Sequence, residues 1–277
     1  MNRARATIFG GLAALGVVLG AAAPWGAGHA VLAADAAPPL RVGIAPNYPP
    51  LAFKQNGKLM GIEVDFADRL GKALGRQVVL VETPWDDLSK ALIEDKTIDV
   101  VMSGTSITEK RKEKVDFTDP YLTAGQMVLI RAADYPRLRN AKALDKPSVR
   151  VGFITNTTSE HYARQHLPHA KLEGFPDNDA GVAALRNDQI DAFITDATAV
   201  WRVTGGFFSK ETQLRGLYTP LTHEQLAWVV RKGDDTLRNQ LNAVLKKWKH
   251  DGTLNEVLDH WITVRKTTVE VKQYSGQ

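Results

Sequence analysis

A chain of 277 residues that is 44% hydrophobic and 24% charged, with 22 Gly, 13 Pro and no Cys, has the composition of one or two globular domains and excludes a fibrous or disordered protein. Its 35 Lys+Arg against 31 Asp+Glu leave a net charge of +4, too balanced to indicate nucleic acid or a membrane surface as partner. The absence of Cys excludes a disulfide framework, a thiolate metal site, a cysteine nucleophile and a lipid-modified N-terminal cysteine.

Residues 1–34 read as a cleaved signal peptide: basic Arg3 and Arg5, an apolar stretch from Ile8 to Ala23, then small residues with cleavage candidates at Ala30, Ala33 and Ala34. Gly and Ala dominate the stretch and Pro24 interrupts it before the roughly 20 residues that a membrane span needs. Export to the periplasm is therefore expected, leaving a mature chain with a net charge of +2, since Arg3 and Arg5 are the only charges removed.

Downstream, short β-like runs alternate with helical patterns: a strand Leu40–Ile44, a helix from about Asp65 to Leu74 closed by Gly75, a strand Val78–Val81, a helix from about Asp86 to Ile93, and a strand Ile98–Met102. This order predicts a mostly parallel sheet flanked by helices. In the first helix Val64, Phe66, Ala67, Leu70, Ala73 and Leu74 recur near a 3.6 period behind acidic residues, which marks those acids as caps and solvent-facing groups. An extended stretch Gln126–Arg131 follows. A second α/β unit then opens with a strand Val149–Ile154, helices near Ser159–His166 and Asp179–Arg186, and a strand Ile190–Thr195. Beyond it come a strand Leu226–Val230, a helix Thr236–Lys249 with the apolar stripe Leu237, Leu241, Val244, Leu245 and Trp248, and a last short helix carrying Val257, Leu258 and Trp261. These closing elements lack strand partners of their own and must pack on a preceding unit.

No P-loop, GxGxxG, GxSxG or HExxH is present. His161, His166 and His169 are spaced along a polar helix and past Pro168, which does not make a zinc site, and Lys246, Lys247 and Lys249 read as a solvated helix face. No metal and no cofactor are expected. The densest signal runs from Ser103-Gly104-Thr105-Ser106 through Arg111 to Asp119-Pro120-Tyr121. It places hydroxyls and backbone N–H groups at the C-terminal end of a strand, where open α/β sheets keep their ligand crevice. Arg111 can clamp a carboxylate with two parallel hydrogen bonds. Local spacing alone equally describes a Ser/Thr-capped helix bearing a surface Arg.

Tyr48-Pro49-Pro50-Leu51-Ala52-Phe53, Gly61-Ile62-Glu63-Val64-Asp65, Trp85-Asp86-Asp87-Leu88, the segment from Ser106 to Tyr121, Asn156-Thr157-Thr158-Ser159-Glu160, Thr195-Asp196 and Asp251-Gly252-Thr253-Leu254 follow the order seen in family 3 periplasmic solute-binding proteins, which this chain resembles from about Leu40 to Ile262. The resemblance implies a two-lobed, type II clamshell of the α/β class with a hinge of two crossing strands. Lobe 1 would comprise 39–121 plus 226–266, lobe 2 would comprise 126–221, and 267–277 would form a tail. A monomer would capture an amino acid and pass it to a membrane ABC permease. By the same resemblance, Arg111 would hold the ligand carboxylate, supported by the Ser106 hydroxyl and Gly104 backbone. Thr157 and Thr158 would close over it from a helix N-terminus, Asp196 would receive the α-ammonium, and Tyr48 and Trp85 would wall the ligand's body. Two positions depart from the pattern: Asn156 replaces a common Gly, and Ala45 stands where relatives that bind basic amino acids carry an Asp, which favours a neutral ligand.

Cyclohexadienyl dehydratases share this fold and are similar at Trp85, Met102-Ser103-Gly104, Pro176-Asp177-Asn178, Thr195-Asp196-Ala197 and His260-Trp261. Such an enzyme needs a general acid in the cleft. Its Glu after the Thr-Asp-Ala motif is replaced here by the run Thr198, Ala199 and Val200, and its Gly-Gly-Thr-Asn loop by Asn156-Thr157-Thr158-Ser159. A binding protein without a catalytic residue is therefore the expected function, with the dehydratase as the alternative.

Overall fold

A computed structural model describes residues 37–204 and 213–262; the segment 1–34 and the tail 267–277 lie outside the described residues. From the N-terminal side the elements are β1 (Leu40–Ile44), a small antiparallel sheet of β2 (Asn47–Tyr48), β3 (Ala52–Gln55) and β4 (Lys58–Met60), then α1 (Ile62–Leu74), β5 (Val78–Glu82), a 3-10 turn at Trp85–Asp87 leading into α2 (Leu88–Ile93), β6 (Val100–Ser106), α3 (Glu109–Lys112), β7 (Val115–Phe117) and β8 (Leu122–Ala124). They continue with β9 (Gln126–Arg131), β10 (Arg150–Ile154), α4 (Thr158–His166), β11 (Lys171–Phe175), α5 (Asn178–Arg186), β12 (Ala192–Asp196), α6 (Ala197–Thr204) and β13 (Leu214–Leu217), and end with β14 (Glu224–Arg231), α7 (Asp235–Asp251) and α8 (Thr253–Trp261).

Two larger sheets result, ordered β5-β1-β6-β14-β7 with β8 also on β14, and β11-β10-β12-β9-β13. In each, three neighbouring strands are parallel, as the βαβ alternation predicts, and the strand that arrives from the other sheet adds antiparallel: β14 against β6, and β9 against β12. The chain passes from the first sheet to the second at Gly125, between β8 and β9, and returns between β13 and β14. α1 begins three residues before the expected Asp65, because Gly61 at φ 128 turns the chain where a Cβ would stand 2.4 Å from the Leu51 carbonyl oxygen. β2–β4, β11, α6 and β13 have no counterpart in the pattern reading. They are short, and β11 alternates weakly, with Glu173 and Gly174 exposed.

The closing helices pack on the first sheet as expected. Phe66 of α1 stacks on Trp248 of α7 at 5.7 Å and meets Tyr121 and Trp228 edge-on, and Leu241, Leu245, Val257 and Leu258 complete this core. One core is thus assembled from both ends of the chain. The second sheet has its own cores, around Phe153 and Ile194 on one face and Phe193 and Leu185 on the other.

The two sheets share a structural repeat. At the base of the first, Asp99 accepts from the backbone N–H and guanidinium of Arg41 and from Arg231, while Arg231 also donates to the Ile98 carbonyl. At the base of the second, Asp191 accepts from the backbone N–H and guanidinium of Arg150, and Arg131 donates to Asp191 and to the Ile190 carbonyl. The segments match: Leu40-Arg41-Val42-Gly43-Ile44 against Val149-Arg150-Val151-Gly152-Phe153, and Ile98-Asp99 against Ile190-Asp191. Even the glycines agree, since a Cβ at Gly43 would strike Ile98 and one at Gly152 would strike Ile190. Burial alone would raise Asp99, but hydrogen bonds from Arg41 and Arg231 hold it down to about 2. Arg150 and Arg137 likewise outweigh burial and keep Asp191 below the ordinary carboxylate range.

Asp191 is 4% exposed and is shared by three partly exposed guanidinium groups that keep Asp134 or Asp188 as further partners, so its removal takes away the shared acceptor at the centre of the cluster and the partner of the Arg150 backbone N–H. Asp191→Ala is expected to lower stability by about 2 kcal/mol, the scale of lost hydrogen bonds to a buried charged acceptor, measured by urea denaturation; a change below about 0.5 kcal/mol would show that the clamp carries no net stability.

Candidate functional site

A cleft between the two sheets is lined by Ala45, Asn47, Tyr48, Trp85, Ser106 and Arg111 from the first half and by Ile154, Thr157, Thr158, Pro176, Asp177, Asn178 and Asp196 from the second. Seven of the eight residues expected at a site therefore converge. Gly104 is absent from this lining. Its N–H donates to Glu63 Oε1 at 2.8 Å, and its place at φ 63 is one where a Cβ would lie 2.2 Å from Leu51 and 3.1 Å from Tyr48. It backs Tyr48 instead of offering a donor to the cleft. Glu63, expected as a cap or solvent-facing acid at the head of α1, is instead fully buried because the Tyr121 hydroxyl, the Gly104 N–H and the Trp228 indole all donate to it, and burial pushes it up to about 7.

The Ser103–Ser106 run is part of β6, not a loop beyond the strand: Ser106 pairs with Leu226, and α3 follows under a Thr108 cap. Both local readings of Arg111 hold in part, since it sits on a capped helical turn and yet faces the cleft. Arg111 Nη1 donates to the Ser106 carbonyl at 2.8 Å, and its Cζ stands 5.5 Å from the centre of the Trp85 ring. Among the described residues it closes no ion pair. Burial lowers its pKa, opposed by the negative charges of Glu224 and Asp196.

Asp196 ends β12, directly paired with Gln126 of β9, and its Oδ1 accepts from Gln126 Nε2 at 2.9 Å. Burial and then the nearby Glu224 push it up to about 6, against hydrogen bonding and the pull of Arg111. The Tyr48 hydroxyl faces this carboxylate without closing a hydrogen bond of normal geometry, and burial raises it well above its ordinary value. Thr157 caps α4: its hydroxyl accepts from Ser159 N–H and donates to the Ile154 carbonyl. The Thr158 hydroxyl accepts from Gln126 Nε2 at 3.0 Å. Of the first amides of α4, which have no partner along the helix itself, Ser159 N–H is spent on the Thr157 cap, and the helix N-terminus as a whole suits an anion. Asn156 takes the left-handed conformation at φ 59 that a Gly would adopt there. At the mouth, Trp85 Nε1 donates to the Asn156 carbonyl at 3.3 Å and Asn156 Nδ2 to Asp86 at 2.9 Å, so the two halves touch.

Sequence reasoning missed Glu224 and Gln126. Glu224 Oε2 accepts from the Ser106 hydroxyl at 2.5 Å, 118 positions away, and nothing in its local sequence signals that meeting. The Ser106 proton is thereby committed, so towards the cleft its oxygen can only accept. Among the described residues no group of three His, Cys, Asp or Glu side chains could hold a metal; His169 pairs with Asp145 and His166 packs at a tilt against Tyr162.

Two α/β halves joined by crossing strands, with a desolvated cation and a desolvated anion lining the cleft between them, define a two-lobed clamshell. Sequence comparison agrees. The chain matches the bacterial extracellular solute-binding proteins, family 3, over residues 40–264 and belongs to that family. It is 31% identical over 233 residues to the L-cystine-binding protein TcyJ of Escherichia coli, covering 80% of this chain and 82% of the relative. It is 26% identical over 234 residues to a cyclohexadienyl dehydratase of Pseudomonas aeruginosa, covering 84% and 86%. A crystal structure of a putative ABC-transporter binding component from Wolinella succinogenes, complexed with lysine, superimposes with a TM-score of 0.76 at 32% identity, covering 81% of this chain and 95% of that one.

Gly104→Ala is expected to cost about 1–3 kcal/mol, from a strained backbone and the push on Leu51 and Tyr48. Guanidinium denaturation that shows no loss would mean the site tolerates a Cβ.

Proposed function

We propose that the cleft captures an α-amino acid as its zwitterion and that the exported, monomeric protein hands it to a membrane ABC permease. One observation carries the reading. Arg111 lines the cleft with no ion-pair partner among the described residues, while Asp196 lines it with a raised pKa, each a desolvated charge lacking a full counter-charge. A ligand with a carboxylate for Arg111 and the α4 amides, and an ammonium for Asp196 and the accepting Ser106 oxygen, satisfies both together. Closure follows because only the closed state offers both contacts. In this reading lobe 1 comprises 39–121 plus 226–266 and lobe 2 comprises 126–221. Segment 1–34 directs export, in keeping with an extracellular family. Tyr48, Trp85, Ile154, Pro176 and Ala45 give the ligand's body mostly apolar walls, which supports a neutral side chain.

Calorimetric titration following a thermal-shift screen of amino acids tests this. A ligand of the folded state raises the midpoint, and neutral amino acids are expected to give the largest shifts; lysine or arginine as the tightest ligand would replace the neutral assignment. Arg111→Ala and Asp196→Ala are each expected to weaken binding at least about 100-fold while the fold persists. Near-normal affinity in either variant removes that residue from the site.

Affinity should also depend on pH. In the free protein Asp196 is protonated below about 6, whereas pairing with an ammonium requires the carboxylate. Binding is therefore expected to weaken by about tenfold per pH unit below 6 and to level off above 7. A flat profile between pH 5 and 8 would place the ammonium elsewhere.

The dehydratase reading has one observation in its favour, the 26% identical relative. Against it, Thr198, Ala199 and Val200 are buried in α6 and supply no carboxyl group. Turnover of prephenate to phenylpyruvate, or of arogenate to phenylalanine, would replace the binding reading.

A further inference from the structure

The hydrogen bonds of the cleft do not stop at its walls. The Ser106 hydroxyl donates to Glu224 Oε2, and Thr222 donates to Glu224 Oε1 at 2.7 Å. The Thr222 hydroxyl in turn accepts from the backbone N–H of Gln126 at 2.9 Å, and Gln126 Nε2 donates to both Asp196 and Thr158. The Gln126 amide cannot be turned over without setting its oxygen against the Asp196 carboxylate, so its orientation is determined even though Oε1 itself has no partner. Ser106 and Gln126 are 4% and 0% exposed, and buried links of this kind are costly to leave half-made.

This path runs through the two places where the chain crosses between sheets. Gln126 follows Gly125, where a Cβ would stand 1.9 Å from the Thr222 carbonyl oxygen. Leu221 N–H donates to the Gln126 carbonyl at 2.7 Å and Ala197 N–H to the Gly125 carbonyl at 2.8 Å. Glu224 pairs with Ala124 on the near side of the crossing. Any rotation of one half against the other changes the backbone at Gly125 and at 221–223, and so moves Thr222 relative to Gln126.

We propose that Glu224 is a positioning residue that couples the cleft to the hinge: through Thr222 it ties the acceptor state of Ser106 in the first half to the backbone of Gln126, the residue whose side-chain amide holds Asp196 and Thr158 in the second. The carboxylate is required because both hydroxyls donate to it. A Gln in its place can accept from only one, which forces either Ser106 to turn its proton into the cleft or Thr222 to lose its acceptor. The coupling to ligand rests on the amino-acid reading of the cleft; the tie to the hinge does not.

The experiment is hydrogen exchange followed by mass spectrometry on ligand-free protein and on protein with L-glutamine, L-lysine or L-cystine. Without ligand, Glu224→Gln and Thr222→Val are expected to speed exchange in peptides spanning 122–128 and 220–226 by about tenfold, with 150–154 unchanged. Thr222→Ser, which keeps the hydroxyl, is expected to behave as wild type. Unchanged exchange in both disruptive variants, or a loss in Thr222→Ser equal to that in Thr222→Val, overturns the proposal. Thr222→Val stands in should Glu224→Gln fail to fold. For whichever of the three probes binds the wild type, Glu224→Gln is expected to weaken binding about tenfold and to abolish ligand-induced protection of the 122–128 peptide. Full protection in that variant refutes the coupling. If none of the three binds the wild type, the amino-acid reading is in question, and the ligand-free exchange still decides whether Glu224 holds the hinge.

Discussion

The close approach of two backbones at Gly125 and Thr222 is the constraint on which the molecule depends. Two strands must cross there to let one chain build two sheets, and the space left for a side chain at position 125 is nil. The two chain segments that connect the halves pass through this crossing. The contacts at the mouth, by contrast, are a Trp85 hydrogen bond and an Asn156 side chain near solvent, which opening can break at small cost. A joint that is covalent and tightly packed at one end and lightly bridged at the other suits a hinge motion.

Each half is stiffened at the end remote from the cleft by the same device, an Asp that binds an Arg at the start of a parallel strand, Arg41 in β1 or Arg150 in β10, and an Arg from the antiparallel strand. Placing paired charges there leaves the opposite strand ends free to carry polar residues that are incompletely paired. Ser106 ends β6 and Asp196 ends β12. The repeat therefore explains why both halves present their functional groups from corresponding strand ends, as open α/β sheets do.

The electrostatics of the cleft rest on more than one cation and one anion. Glu224 lies close enough to raise Asp196 and to support Arg111, yet its oxygens are occupied by two hydroxyl donors. A negative charge satisfied internally in this way shapes the field without competing for a ligand's ammonium. Gln126 has the complementary part, a neutral donor that holds Asp196 without neutralising it.

Much of this was legible in the sequence where the cause is local. The apolar stripe of α7, the Gly75 stop of α1 and the β9 strand at Gln126–Arg131 follow from periodicity and capping, whereas the meeting of Tyr48, Trp85, Ser106, Arg111, Thr157, Thr158 and Asp196 was implied by the family resemblance and by no local pattern. The start of α1 moved by three residues at Gly61 and that of α2 by two behind the 3-10 turn at Trp85, and α7 runs two residues past the expected Lys249. Gly104 was misread as a donor because its N–H is taken by Glu63, 41 positions distant. Glu224 and Gln126 were missed because their partners lie 118 and 70 positions away. The sequence by itself determined which segments form strands and helices and which charges have no local partner, since those depend on neighbours within a few residues. Only the tertiary structure decided which donors are already spent and which carboxylate stands behind which hydroxyl, because strand crossing and register bring those groups within hydrogen-bonding reach and no local pattern encodes either.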